Sequence, residues 1–143
     1  MTLPIASAVP KVLERKQAEI DQLALAARAA LDAHLQFRTA EEECAGRIDG
    51  ITAEIRQLQE MAAQRVYAGN PLDMDAIRRL EATKRDLLTE LPIRRRVAEV
   101  AINKYKQADQ VLNETRAEHM RIANAAAVRA ARERQVDGWQ GDR

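Results

Sequence analysis

The sequence predicts an all-α protein, a long antiparallel helical hairpin of coiled-coil type. Three observations carry that expectation. Ala, Arg, Glu, Leu and Gln dominate a chain of 143 residues with 31% charged and only 3% aromatic residues, a composition of long helices. Apolar residues recur with a seven-residue period over two long runs. A break, Gly69-Asn70-Pro71, separates the runs near the middle of the chain. β-Branched and aromatic residues are sparse and never alternate for long, which argues against strands.

Residues 1–10 hold Pro4 and Pro10 around Ile5 and Val9. They read as an extended N-terminal arm leading into the first helix, with Ser7 as a candidate cap. Ile5 and Val9 are candidate protein-binding residues, since a small apolar arm suits docking on a neighbour.

From about Lys11 to Ala68 one core position (a) holds Leu13, Ile20, Ala27, His34, Glu41, Ile48, Ile55 and Ala62. The other (d) holds Val9, Lys16, Leu23, Ala30, Phe37, Cys44, Ile51, Leu58 and Arg65. Gly46 and Gly50 weaken the middle of this run by roughly 1 kcal/mol each relative to Ala. At the break, Gly69 or Asn70 suits the left-handed conformation that ends a helix, and Pro71 cannot continue it. Asp73 is a cap for the next helix, placing the hairpin tip at 69–73.

The second run spans about Met74 to Gln135. Its a positions are Ile77, Lys84, Leu91, Ala98, Tyr105, Leu112, His119 and Ala126. Its d positions are Leu80, Leu87, Arg94, Ala101, Ala108, Thr115, Ile122 and Arg129. Leu88, Val97, Ile102, Val111 and Ala123 widen the stripe, and a wide stripe implies more than one packing partner. Residues 136–143 hold two glycines and the only tryptophan and read as a flexible tail. Trp139 is a candidate anchor into a partner, because aromatics dominate binding hot spots.

A turn centred on Pro71 makes facing residues add to about 142, which pairs Leu87 with Ile55, Leu91 with Ile51, Leu112 with Ala30 and Ile122 with Ile20. All are a–d pairs. Pro92 then lies opposite Gly50, so both arms are weakest at one level, where a kink is expected. The alternative is that both arms break there and the chain folds into a short four-helix bundle.

No motif supports catalysis. His34 and His119 sit at separated seam positions without metal-ligand spacing. Cys44 lacks an activating base and reads as a small core residue. Glu41, Glu42 and Glu43 point about 100° apart in turn and cannot converge as an acid/base pair. No phosphate loop, nucleophile elbow or zinc spacing occurs. The reading is therefore a non-enzyme without cofactor or metal. Arg94-Arg95-Arg96 is a candidate protein-binding run. The second arm carries 14 basic and 10 acidic residues over 73–135, and the first 8 basic and 10 acidic over 11–68. The resulting basic face permits nucleic-acid binding, but a net charge of +1 and the few aromatics argue against it. The single cysteine and the absence of a signal peptide or apolar span point to the cytoplasm, or to a virion assembled there, with no membrane insertion.

The run Arg65-Val66-Tyr67-Ala68-Gly69-Asn70-Pro71-Leu72-Asp73 with Ile77 and Leu80, and the basic start Lys11-Val12-Leu13-Glu14-Arg15-Lys16, resemble the coiled-coil stalk proteins of flagellar and type III secretion export systems. The resemblance implies a non-enzymatic component that contacts the export ATPase and export gate. The alternatives are a bacteriophage structural or scaffolding protein assembling in a symmetric ring and, third, a basic helical nucleic-acid binder.

Overall fold

The computed structural model describes residues 5–67 and 74–141, with side chains for 8–64 and 74–138. The described chain is two α-helices, α1 (Ile5–Tyr67) and α2 (Met74–Gly141), packed against each other as a helical hairpin. The predicted tip at 69–73 lies outside the described residues. No strand occurs among them.

The helices form because the sequence is rich in good helix formers, and the poorer ones find partners. Thr39, Thr52, Thr83, Thr89 and Thr115 each donate their hydroxyl to the carbonyl four residues back, at 2.7–3.0 Å. Asp75 in the first turn of α2 complements the helix dipole. α1 passes unbroken through Gly46 and Gly50, and α2 through Pro92. The four-helix alternative is thereby excluded.

Two expectations about the ends are corrected. Residues 5–10 are helical, not extended, and Pro10 lies inside α1. Val9, half-buried at its d position, continues the seam into this turn. α2 likewise runs on to Gly141, through residues read as tail.

Every buried residue among those described occupies a predicted a or d position: Ile20, Ala27, Cys44, Ile48 and Ile55 on α1, and Ile77, Leu87, Leu91, Ala98, Ala101, Leu112 and Thr115 on α2. Most are Ala, Cys, Leu or Ile, which fill a thin seam without aromatic bulk. Two predicted core residues are instead exposed, Phe37 and Arg129.

The chain divides into two compact units, residues 31–103 and residues 1–30 with 104–143. In the first, Cys44, Ile48, Leu87 and Leu91 form the core, with Ala45 and Ile51 against them. In the second, Ile20, Ala27 and Leu112 do so, with Leu23, Ala24 and Ala108.

The register differs from the expected one. Lys16 pairs with Glu118, His34 with Ala98, Glu41 with Arg95 and the Cys44 thiol with the Leu87 carbonyl. These pairs add to 134, 132, 136 and 131, about one heptad short of 142. Leu87 therefore packs with Ile48 instead of Ile55, and Leu112 with Ile20 and Ala27 instead of Ala30. A slip of seven residues leaves every a opposite a d, so periodicity does not distinguish the two registers. In the observed register Pro92 is level with Glu43, not with Gly50, and the weakest points of the arms are offset.

Candidate protein-binding faces

The seam fixes which side chains remain outside. Residues beside a and d flank the groove, and residues at c and f point away from the partner helix. Fourteen large apolar residues are exposed among the described ones, against eleven buried apolar residues. Leu25, Ile93 and Met120 are the most open, at 69%, 62% and 64% of their surface.

Of the predicted binding residues, Arg94 is half-buried at its seam position and donates from Nε to Glu90 Oε1 at 2.9 Å, with a second contact from Nη2. Arg95 is exposed and its Nε donates across the hairpin to Glu41 Oε1 at 3.2 Å. Glu41, which a register centred on Pro71 would set opposite Ala101, thus serves as an interhelical acceptor. Arg96 is exposed with no ion-pair partner among the described residues. The arginine run is therefore split: Arg94 braces α2 through Glu90, Arg95 ties the two helices through Glu41, and Arg96 is open to a partner. Val9 is half-buried in α1. Ile5 opens α1 and Trp139 lies in the last turns of α2, but their side chains lie outside the described residues.

Sequence reasoning assigned no role to Leu25 or Met120. They occupy isolated outward positions, and nothing in a heptad pattern marks them as surface sites. Of the five residues read as widening the stripe, Leu88, Val97 and Val111 are open, at 48%, 40% and 46%, while Ile102 and Ala123 are half-buried.

Lys16 and Glu118 pair at 3.0 Å, with Glu19 as a second, longer partner at 3.7 Å. The hydrogen bond to Glu118 holds the Lys16 ammonium above its ordinary value of 10.5, and the nearby carboxylate charges of Glu118 and Glu19 act in the same direction. His34 Nδ1 lies 3.2 Å from the Ala98 carbonyl oxygen. That oxygen only accepts, so Nδ1 carries the proton. Cys44 is buried, its thiol donating to the Leu87 carbonyl at 3.7 Å. His34 and Cys44 thus make interhelical contacts inside the seam.

An open groove of about 490 Å³ is lined by Thr52, Ile55, Arg56, Gln59, Glu81, Lys84, Arg85 and Leu88. It runs along the side of the seam, with Ile55 in its floor and cations at its rim. No group of three or more His, Cys, Asp or Glu residues suited to a metal occurs among the described residues. None of the described helices is long and apolar enough to cross a membrane.

No protein-family model, curated protein or solved structure matches the chain.

Proposed function

We propose that this chain is a non-enzymatic, protein-binding coiled-coil component of a larger assembly, with the export-ATPase stalk as its particular form. One observation carries the general reading: exposed large apolar residues outnumber the buried ones. A hairpin whose apolar residues served only its own seam would not distribute them over its outer faces, and such surface marks contact with another protein. The side chains that bear chemistry elsewhere are spent on packing here, as His34 and Cys44 show. The stalk form rests on the resemblance around 65–80 and at Lys11–Lys16.

The test is co-sedimentation of the full chain with a purified flagellar-type export ATPase. The expected result is a stable complex that weakens when Leu25 and Met120 are replaced by Ser, while thermal unfolding of the free chain is unchanged. Absence of a complex refutes the stalk form. A large fall in melting temperature for these replacements refutes the general reading, because it would make both residues part of the chain's own core.

A further inference from the structure

We infer that the groove between residues 52–59 of α1 and 81–88 of α2 is a docking site for an acidic amphipathic helix of a partner protein. Both walls are helical stripes at i, i+3, i+4 and i+7, running from Thr52 to Gln59 on α1 and from Glu81 to Leu88 on α2. Two such stripes side by side leave the channel that a third helix fills when it packs along a two-helix seam. The channel is two turns long, about 10 Å.

Charge selects the occupant. Over 52–59 and 81–88 the chain holds three cations, Arg56, Lys84 and Arg85, and three acids, Glu54, Glu81 and Asp86. All three cations line the groove, but of the acids only Glu81 does. Glu54 and Asp86 take heptad positions on the other side of the seam and are exposed there. None of the three cations has an ion-pair partner among the described residues, although Glu81 stands three and four residues before Lys84 and Arg85. The rim thus presents positive charge that the hairpin itself does not neutralise.

The floor decides between kinds of anion. Ile55 lies at the bottom of the groove and Leu88, 48% exposed, on one wall. A nucleic-acid backbone gains nothing from an apolar floor, and no aromatic side chain lines the groove to stack a base. A helix with an apolar ridge flanked by carboxylates suits both parts of the site. Its ridge covers Ile55 and Leu88, and its carboxylates meet Arg56 on one wall and Lys84 and Arg85 on the other.

This inference rests on the general reading of a protein-binding chain, not on the stalk form, and it involves neither Leu25 nor Met120. The experiment titrates the full chain with a synthetic helical peptide of about four turns, Leu along one face and Glu on both flanks. Fluorescence anisotropy gives the affinity and amide NMR the location. The same peptide with Lys in place of Glu and a short DNA duplex are the controls. The expected result is saturable binding of the Glu peptide, with amide shifts centred on 52–59 and 81–88. Arg56→Glu and Arg85→Glu are each expected to raise its Kd by about tenfold or more, with helicity retained in circular dichroism. Failure of the Glu peptide to bind, equal binding of the Lys peptide, or a Kd indifferent to both reversals overturns the inference. Tighter binding of the duplex than of the Glu peptide overturns it as well, in favour of nucleic acid. Peptide failure beside an intact ATPase complex refutes the groove alone, and loss of that complex beside intact peptide binding refutes the stalk form alone.

Discussion

Leu87 gives the sharpest test of how the seam is assembled. Its side chain is only 5% exposed and packs with Cys44, Ile48 and Leu91. Leu→Ala in a core costs ~2–5 kcal/mol, and more where the site cannot collapse. Here the core is one seam thick and its neighbours relax readily, so Leu87→Ala is expected to cost about 2–3 kcal/mol. Leu88, the next residue, is 48% exposed. Ala and Leu differ little in helix propensity, so Leu88→Ala is expected to cost ~0.5–1 kcal/mol. Pairing Leu87→Ala with Ile48→Ala gives a double-mutant cycle, and Leu87→Ala with Ile55→Ala a second. Contacting residues couple by ~0.5–3 kcal/mol and distant ones add within about 0.5. Urea unfolding followed by circular dichroism measures all of these. Equal costs at Leu87 and Leu88 would refute the seam assignment, and stronger coupling to Ile55 than to Ile48 would refute the register.

Gly46→Ala and Gly50→Ala are each expected to stabilise the protein by roughly 0.8–1 kcal/mol in urea unfolding, because a Cβ at either position meets nothing within 4 Å. Pro92→Ala is expected to stabilise as well, by up to ~3 kcal/mol, since Pro92 is exposed inside a continuous helix and supplies no backbone donor. The Lys16–Glu118 pair stabilises the fold in full below pH 10.5 and loses its contribution as pH rises through the elevated folded value. The melting-temperature gap between the wild type and Lys16→Met should therefore be steady at neutral pH and close in strong alkali. Cys44 is buried and should react with a thiol reagent only at the rate of chain opening, so that labelling accelerates with urea.

The two helices and their buried faces were legible because the heptad reports directly on which residues face a partner. All twelve buried residues among those described, Ile20 through Thr115, fall on positions assigned from periodicity. The register was not legible, because the same pattern fits equally well after a slip of seven. What fixes it is individual contacts such as Glu41–Arg95 and Lys16–Glu118, between residues whose spacing says nothing of axial level. Pro10 misled the reading of the first residues: a proline signals a break, yet α1 carries it while Val9 is held in the seam. The outer surface was half legible: Val97 was visible as a widening of the stripe, but Phe37, assigned to a d position, is exposed.

The most direct measurement is intramolecular crosslinking of cysteine pairs with a short bismaleimide, on a Cys44→Ala background. The antiparallel seam in its observed register predicts rapid crosslinks for Glu41→Cys/Arg95→Cys and Lys16→Cys/Glu118→Cys, whose native side chains meet at 3.2 and 3.0 Å. Lys16→Cys/Ala125→Cys, which a register one heptad longer would bring together, should crosslink slowly. The reverse order of rates, or no intramolecular crosslink at either contacting pair, would contradict the structure described.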